Sequence, residues 1–477
     1  LFEWYLIHYI LNCEHIKEKM NLAHNKIHCL VIPFPTQGHI NPMLQFSKRL
    51  QHKGIEITLV PTTHIFKKSM QELTSSITLE PISDGYDDVN GLFCAKSIET
   101  YLESYQKVGS QAIIQLIEKL KNKGNPINCV IYDSFMPWIL DVAKMFGLVS
   151  CVFFTMSCAV ENIFYHTQLK ELKLPVEGHQ VLLPGLPPLV PSDLPSFVND
   201  LGSYPPFLKM LVDQFSNIQE ADWILCNTIY ELEKHEVDWI TKRLSLRTIG
   251  PTIPSMYVDK RVENDNSYGL SMYTPKTDVC MKWLSDCDDG SVVYVSFGSM
   301  AELKEEQMKE IACGLKKSNH NFLWVVRESE EPKIPKDFLE NITKEKGLVV
   351  TWCPQLDVLV HKAIGCFMTH CGWNSTLEAL SLGVPMVAIP IWTDQCTNAK
   401  YVMDIWEMGI KAQANEKGVA KQEVVEHCIK EVMEGERGKE IRKNATKWRE
   451  VTKKAMDEGG SSDRNINEFI AKLVNVS

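Results

Sequence analysis

The amino-acid sequence predicts an α/β protein with two doubly wound, Rossmann-like parallel-sheet domains that face a cleft. Its 477 residues exceed what a single hydrophobic core normally supports. Short apolar runs alternate with amphipathic stretches, which is the pattern of βαβ units and parallel sheets. After a proline-containing stretch at 250–255 and a polar loop at 259–268 this alternation restarts, so we expect a second sheet.

The first series of strands occupies the N-terminal half of the chain. We expect these strands at His28–Phe34, Ile55–Val60, Cys129–Tyr132 and Cys151–Phe154. A helix from about Pro42 to His52 is expected after the first strand, because Asn41 can cap it and proline suits the first helical position.

The second series lies in the C-terminal half. We expect its strands at Ser291–Phe297, Phe322–Val326, Leu348–Thr351, Cys366–Thr369 and Met386–Ile389. A helix begins near Trp373, between the last two strands, and Gly383 with Pro385 ends it. Ligands of doubly wound sheets bind outside the carboxyl ends of the strands, so residues that directly follow strands are the candidates for function.

Composition and charge exclude several classes of function. The formal net charge of −10 and the pI of about 5.8 argue against nucleic-acid binding. The 15 cysteines show no paired spacing, so we expect reduced thiols in a cytoplasmic protein. The apolar start at 1–11 is too short to span a bilayer, and we expect 1–19 to be a leader or expression-derived segment outside the fold.

The most informative stretch of the sequence is 352–395. Its helix opens with Asn374, Ser375 and Thr376, and a helix start offers free N–H groups and a positive dipole end to a phosphate. Glu378 lies one turn further, on the same face as Asn374, where a carboxylate can hold a ribose diol. Taken alone, an Asn-Ser-Thr helix start is more often only a cap.

The order and spacing of the residues in 352–395 resemble the donor-binding signature of plant family-1 UDP-sugar glycosyltransferases. This resemblance implies the GT-B fold, with UDP-glucose as co-substrate and with no metal or other cofactor. It implies that Trp352 stacks on uracil, that the Cys353 backbone meets the uracil edge, and that Gln355 and Glu378 bind the ribose. At the diphosphate it implies His370, Asn374, Ser375 and the backbone N–H and indole of Trp373. At the sugar it implies Asp394 and Gln395. Glucose is implied because a final glutamine, here Gln395, usually accompanies it in this family.

A catalytic pair is implied in the N-terminal half. His39 lies in the turn after the first strand, in PFPTQGHINP, and Asp133 follows another strand, in NCVIYDSFMPW; both segments resemble the catalytic segments of the family. The resemblance implies that His39 is the general base and that Asp133 orients it, and an imidazole with a pKa of about 6.5 suits this task. A solvated loop histidine and a turn aspartate are the simpler alternatives. Thr155 and Ser299 match family positions that contact the sugar 6-hydroxyl and the phosphate.

The acceptor is implied only as a class. Segments such as LPGLPPLVPSDLPSF resemble a plant subgroup with glucosyltransferases for salicylate, other small acids, thiohydroximates, and steroid or triterpenoid alcohols. We expect a single inverting displacement that gives the β-O-glucoside of a steroid, triterpenoid or phenolic hydroxyl; the alternative is a glucose ester of a small carboxylic acid. The candidates for an apolar acceptor pocket, each equally well explained by core packing, are Tyr86, Phe135, Met136, Phe154 and Met300.

The resemblance also implies a domain division. We expect an N-terminal acceptor-binding domain at 20–255, an interdomain linker at 256–275, a C-terminal UDP-sugar-binding domain at 276–455, and a helix at 456–477 that returns to the N-terminal domain. We expect a monomer that binds no nucleic acid and does not span a membrane.

Three other interpretations are weaker. A nucleotide-dependent oxidoreductase is disfavoured because no GxGxxG follows the first strand. A degenerate binding protein that retains only the donor site is disfavoured because both His39 and Asp133 are present. Metal binding is disfavoured because the DCDD sequence at 286–289 is typical of a solvated turn, and because His370 and Cys371 have no CxxC pair nearby.

Overall fold

Two parallel β-sheets form the frame of the protein. The computed structural model describes residues 27–69, 77–269, 273, 275–342 and 346–476. The predicted segment at 1–19 lies outside the described residues.

The first sheet contains the strands of the N-terminal half. These are β1 (His28–Ile32), β2 (Glu56–Leu59), β3 (Thr78–Leu79), β4 (Cys129–Asp133), β5 (Val149–Phe154), β6 (Trp223–Cys226) and β7 (Leu246–Thr248). They lie in the order β3-β2-β1-β4-β5-β6-β7, and every neighbouring pair is parallel. The strand order reverses between β1 and β4, which opens a crevice at the carboxyl ends of these two strands.

The second sheet repeats this arrangement. Its strands are β8 (Val292–Ser296), β9 (Asn321–Val325), β10 (Gly347–Val350), β11 (Ile364–Thr369), β12 (Met386–Ala388) and β13 (Gly409–Lys411). Their order is β10-β9-β8-β11-β12-β13, again with parallel neighbours, and it reverses between β8 and β11. The two sheets confirm the predicted α/β class with two doubly wound units.

Helices connect the strands. They are α1 (Gln37–His52), α2 (Thr63–Ser69), α3 (Gly91–Cys94), α4 (Ile98–Ser104), α5 (Ser110–Asn122), α6 (Ile139–Met145), α7 (Cys158–Gln168), α8 (Ser196–Asn199), α9 (Pro205–Asp213), α10 (Lys234–Ile240), α11 (Thr277–Ser285), α12 (Glu305–Ser318), α13 (Gln355–Val360), α14 (Trp373–Leu382), α15 (Gln395–Lys400), α16 (Gln422–Met433), α17 (Glu436–Met456) and α18 (Ser461–Val476). All residues of β1, β4 and β8 are buried, as expected for parallel strands that are covered on both faces.

Helix α1 begins five residues earlier than the sequence predicts. It starts at Gln37 after an extended Thr36, so Pro42 lies inside the helix and His39 lies in its first turn, where a loop was expected. A proline removes the hydrogen bond to the carbonyl four residues earlier, here that of Gly38. The predicted start at Pro42 is wrong because Asn374 supplies the missing donor: its Nδ2 lies 2.7 Å from Gly38 O.

The last helix packs on the first sheet. Ile466, Phe469 and Ile470 of α18 are buried in the same apolar cluster as Phe46 and Phe153 of the N-terminal half. The last helix thus contacts residues of the N-terminal half of the chain. The residue bounds of the domains remain a prediction.

Candidate active site

A cavity of about 670 Å³ lies at the carboxyl ends of the central strands. Its N-terminal wall is the start of α1, and its other wall consists mainly of residues that follow β8, β10 and β11. The predicted donor residues that line it are Ser299, Trp352, Cys353, Gln355, Asn374, Ser375 and Glu378. The structure therefore brings together most of the diphosphate, ribose and uracil positions that the sequence singles out.

His39 and Asp133 form a hydrogen-bonded pair beside this cavity. His39 Nδ1 lies 2.7 Å from Asp133 Oδ2, although the two residues are 94 positions apart. The pair forms because β1 and β4 are neighbours at the switch point of the sheet, so the residues that follow or end them meet. Asp133 is completely buried, and its Oδ1 accepts a hydrogen bond from the Phe135 backbone N–H at 3.1 Å. The carboxylate is thus held in one orientation, and the imidazole keeps 16% of its side-chain surface exposed.

Thr155 is a second neighbour of the imidazole. Its Oγ1 lies 3.1 Å from His39 Nδ1, at the end of β5. Both contacts engage Nδ1, which leaves Nε2 as the ring nitrogen that can take a proton from a substrate. The sequence predicts Thr155 as a sugar contact; the contact with His39 is an addition to that prediction.

The start of α14 faces the cavity, as the sequence predicts. Its N-cap is Gly372, which has no side chain, so Asn374 and Ser375 are not caps of this helix. The Asn374 amide donates to Gly38 O across the cleft, and Ser375 Oγ accepts a hydrogen bond from Gln355 Nε2 at 3.0 Å. The simple explanation of these residues as a helix cap is therefore excluded.

His370 lies against two glycines at the end of β11. A β-carbon on Gly298 would come within 2.8 Å of the imidazole, and one on Gly372 within 2.5 Å. Burial, followed by the charge of Arg327, lowers the pKa of His370 to about 4. The imidazole is therefore neutral near pH 7 and can offer a phosphate an N–H group but no positive charge.

Glu378 is the centre of a buried hydrogen-bond network. Its Oε2 accepts from Gln355 Nε2 at 2.6 Å, and its Oε1 accepts from Tyr268 Oη at 2.8 Å. Tyr294 Oη in turn donates to Gln355 Oε1 at 3.0 Å, which fixes the orientation of that amide. Burial raises the pKa of Glu378 to about 7, against the opposing hydrogen bonds from Gln355 and Tyr268.

Comparison with known proteins identifies the family. Residues 272–453 match the family model described as UDP-glucoronosyl and UDP-glucosyl transferase, and residues 25–76 match that of a glycosyltransferase N-terminal domain. UDP-glycosyltransferase 74F2 of Arabidopsis thaliana is 49% identical over 456 residues, which cover 95% of this chain and 99% of that protein. The chain belongs to the plant family-1 UDP-glycosyltransferases. Within this family it falls in the UGT74 group, and the flavonol 7-O-beta-glucosyltransferase UGT74F1 of the same plant is also 49% identical, over 94% of this chain and 98% of that protein.

Solved structures of other glycosyltransferases have the same fold. Os79 from O. sativa in complex with UDP superposes with a TM-score of 0.88 at 38% identity, over 93% of this chain and all of that one. Phytolacca americana UGT2 with UDP-2fluoro-glucose and pterostilbene has a TM-score of 0.79 at 26% identity, over 94% and 99% of the two chains. The protein is therefore a UDP-glycosyltransferase with the GT-B fold.

Two tyrosines of this glycosyltransferase were missed by the sequence reasoning. Tyr273 stacks on Trp352, with ring centroids 4.3 Å apart and an interplanar angle of 27°, and Tyr268 binds Glu378. Both line the cavity and both lie in the stretch that the sequence assigns to the linker. The available signal was the presence of two tyrosines in a largely polar segment, NDNSYGLSMY.

Trp373 corrects one predicted donor contact. Its indole Nε1 donates to Asn227 O at 2.7 Å, and its ring is buried 6.1 Å from that of Trp406. The predicted indole beside the diphosphate is wrong, because a buried indole N–H needs an acceptor and finds it on the N-terminal half of the chain. The backbone N–H of Trp373 at the helix start stays a prediction.

Asp394 and Gln395 lie at the start of α15, both buried. Asp394 accepts hydrogen bonds from Thr393 Oγ1 at 2.9 Å and Asn398 Nδ2 at 2.7 Å, and burial raises its pKa. Gln395 Oε1 accepts from two backbone N–H groups, those of residues 391 and 392, at 2.9 and 3.1 Å. The side chains are thus fixed before any sugar is bound.

The predicted acceptor residues fall into three groups. Phe135 packs against the His39 ring with centroids 4.6 Å apart, so it lies beside the proposed base. Met136 and Phe154 are 1% and 0% exposed, and a side chain without accessible surface lines no cavity large enough for water. These two predictions are wrong: both side chains pack in the core between the sheet and its helices. Tyr86 and Met300 are partly buried and stay predictions.

The DCDD sequence at 286–289 and the cysteines are the remaining candidates for metal or thiol chemistry. Residues 286–289 form the turn after α11, largely exposed, in which Asp289 pairs with Lys362 at 2.8 Å. Within the described residues no group of three or more His, Cys, Asp or Glu side chains is placed to hold a metal ion. The cysteines of the described residues are free thiols. None of the helices in the described part of the chain is long and apolar enough to cross a bilayer.

Proposed function

We propose that this glycosyltransferase transfers glucose from UDP-glucose to a hydroxyl group of a hydrophobic plant small molecule, giving a β-O-glucoside. The observation that carries the proposal is the His39–Asp133 pair, 2.7 Å apart, beside a cavity lined by the donor-site residues. Names of relatives support the acceptor class: UGT74F1 is a flavonol 7-O-beta-glucosyltransferase, a 48% identical protein of Siraitia grosvenorii is a mogroside I-E synthase, and Os79 was crystallised with a trichothecene.

Proton transfer is assigned to His39. In the neutral ring the Nδ1–H donates to Asp133, so Nε2 carries the lone pair that accepts the proton of the acceptor hydroxyl. The buried carboxylate then stabilises the imidazolium that forms. Phe135, which is only partly buried and whose ring centroid lies 4.6 Å from that of His39, supplies an apolar surface for the body of the acceptor, and the buried Phe34 packs behind it with centroids 5.5 Å apart.

Departure of UDP is assigned to the start of α14 and the residues around it. The acceptor oxygen attacks C1 of glucose as the bond from C1 to the diphosphate oxygen breaks, and the proton goes to His39. The free N–H groups of the helix start and Ser375 Oγ face the leaving diphosphate. Asn374 has two amide hydrogens: one is used by Gly38 O, and the other is available for a phosphate oxygen. A single displacement of this kind needs no covalent enzyme intermediate and inverts the configuration at C1.

Glucose as the transferred sugar is assigned through Gln395 and Asp394. Because the two backbone N–H groups occupy Gln395 Oε1, its Nε2 is the group left for a sugar hydroxyl. Asp394 supplies a buried acceptor next to it.

The test is UDP release from UDP-glucose with a steroid alcohol, a triterpenoid, a flavonol and salicylate, with products identified by mass spectrometry. We expect the wild-type enzyme to form a glucoside and the His39→Ala variant to form none. A carboxylic acid is already ionised at pH 7, so a glucose ester as the main product would form almost equally well in His39→Ala. Binding of UDP-glucose without any product would contradict the proposal. Turnover in excess chelator is expected to be unchanged. If chelator abolishes turnover and added manganese restores it, the mechanism is not metal-independent.

A further inference from the structure

The stretch between the two sheets contributes a hydroxyl group to the donor site. Tyr268 precedes α11 and reaches 110 positions along the chain to Glu378, with Oη donating to Oε1 at 2.8 Å. The ring also lines the cavity beside Gln355 and Ser375. A residue of a polar connecting segment is thus in direct contact with the carboxylate to which we assign the donor ribose.

The hydrogen-bond capacity of Glu378 shows what this contact leaves free. An ionised carboxylate has about four acceptor positions, two on each oxygen. Tyr268 occupies one position on Oε1, and Gln355 Nε2 occupies one on Oε2, at 2.6 Å. One acceptor position therefore remains on each oxygen. Two acceptors on one carboxylate match the two adjacent hydroxyls of a ribose.

The two protein donors also fix the rotation of the carboxylate. Gln355 Oε1 accepts a hydrogen bond from Tyr294 Oη at 3.0 Å, and Gln355 Nε2 donates to Ser375 Oγ at 3.0 Å, so the amide has one orientation. Tyr268 holds the other oxygen. With both oxygens held, the free acceptor positions point in fixed directions, which is the condition for recognising a diol and not a single hydroxyl.

We infer that Tyr268 is a positioning residue that orients Glu378 for a cis-diol and thereby makes the donor site selective for a ribonucleoside diphosphate over its 2′-deoxy analogue. The inference rests on the proposed donor site, in which Glu378 binds the ribose. Tyr268 does not itself need to contact the nucleotide.

A purely structural role for Tyr268 is the competing explanation. Its ring packs against the small apolar cluster of Ile253, Val258 and Met456, together with Tyr257. The substitution Tyr268→Phe keeps this packing and removes only the hydroxyl group. Tyr257 gives a matched control, because it lines the same cavity and its hydroxyl donates to Asp357, not to Glu378.

The experiment measures, at pH 8, where Glu378 is mostly ionised, the Kd of UDP and of 2′-deoxy-UDP for wild type, Tyr268→Phe, Tyr257→Phe and Glu378→Gln. For the wild type we expect UDP to bind about tenfold more tightly, because the deoxy analogue leaves one carboxylate position unpaired. In Tyr268→Phe this ratio is expected to fall to about threefold or less, because a carboxylate that is free to rotate can accept hydrogen bonds from other donors when the 2′-hydroxyl is absent. Tyr257→Phe is expected to keep the wild-type ratio.

The outcomes separate the inference from the proposal beneath it. A wild-type ratio in Tyr268→Phe, together with a lost ratio in Glu378→Gln, overturns the positioning role and leaves the donor site intact. A wild-type ratio in Glu378→Gln overturns the ribose assignment of Glu378 and the inference with it. Equal loss of the ratio in Tyr257→Phe and Tyr268→Phe also overturns the inference, because the effect is then not specific to the bond with Glu378.

Discussion

Replacing Asp133 by asparagine tests whether the imidazole of His39 is held in one tautomer. The substitution is nearly isosteric, and the oxygen of the new side-chain amide can still accept the hydrogen bond from the Phe135 N–H, which lies 3.1 Å from the carboxylate in the wild type. The amide nitrogen then faces His39 Nδ1, which is 2.7 Å from the other carboxylate oxygen in the wild type. Because the amide nitrogen is a donor, Nδ1 must be unprotonated and Nε2 carries the hydrogen. An Nε2–H cannot take a proton from the acceptor.

The magnitude follows from the charge that the substitution removes. Two unit charges about 4 Å apart interact by about 4 kcal/mol at an effective dielectric constant of about 20. Asp133 is completely buried, so water does not replace this interaction when the imidazolium forms. At about 1.4 kcal/mol per factor of ten, kcat falls by about a thousandfold. The wrong tautomer acts in the same direction, so this factor is a lower bound.

The assay is kcat for glucosyl transfer to a phenolic or steroid hydroxyl, with UDP-glucose saturating. Thr155→Val serves as comparison: it removes the other contact to Nδ1, and the loss of one neutral hydrogen bond is expected to cost only about fivefold. Melting temperatures and the Kd of UDP show whether either variant loses its fold or its donor site. If Asp133→Asn keeps kcat within about fivefold of the wild type, the assignment of the base and its partner is refuted.

Three further predictions concern the donor site. Gly298→Ala places a β-carbon 2.8 Å from the His370 imidazole at a φ of +74°, so the KM for UDP-glucose is expected to rise about tenfold. The control Gly290→Ala has a similar φ of +68° but no atom within 4 Å of the new β-carbon, so it is expected to leave this KM unchanged. The pKa of Glu378 is raised to about 7, so its carboxylate is mostly protonated at pH 6 and mostly ionised at pH 8; calorimetry is expected to show tighter uridine binding at pH 8, and Glu378→Gln removes this dependence. Among the described cavity residues Lys68 is the only basic one, so Lys68→Met is expected to weaken UDP binding by about threefold to tenfold at low salt. Lys67→Met, which removes the pair with Asp88, is expected to leave UDP binding unchanged. Equal effects of the two substitutions would contradict a specific interaction of Lys68 with UDP.

The grouping of the candidate donor residues around one cavity was predictable from the sequence because most of these residues are local. The helix start at 373–375 and Glu378 belong to one strand–helix unit, so their spacing alone places them on one surface. Gln355 precedes that strand on α13, and its contact with Glu378 joins two positions only 23 apart. The parallel sheets were equally predictable, since continuous apolar runs that alternate with helices favour them.

Contacts between distant segments were not predictable in the same way. Tyr268 and Tyr273 lie in a polar stretch with no periodic pattern, and only the folded chain brings them to Glu378 and Trp352. The indole of Trp373 was assigned to the wrong side for the same reason, since its acceptor, the carbonyl of Asn227, is 146 positions away. A side chain at a helix start can face either of two partners, and the sequence of that helix does not distinguish them.

The start of α1 was predicted wrongly because a distant residue supplies the hydrogen-bond donor that proline lacks. Proline favours the first position of a helix because elsewhere it leaves a carbonyl without its donor. In this protein the carbonyl of Gly38 receives its donor from Asn374, at 2.7 Å, so the helix extends back past Pro42 and carries His39 in its first turn. The same amide lies at the start of the helix to which we assign the diphosphate, and it lines the cavity. One side chain therefore links the position of the proposed base to the proposed site of the leaving group. The proline that made the predicted helix start wrong is also the reason that the Gly38 carbonyl is free to accept this bond.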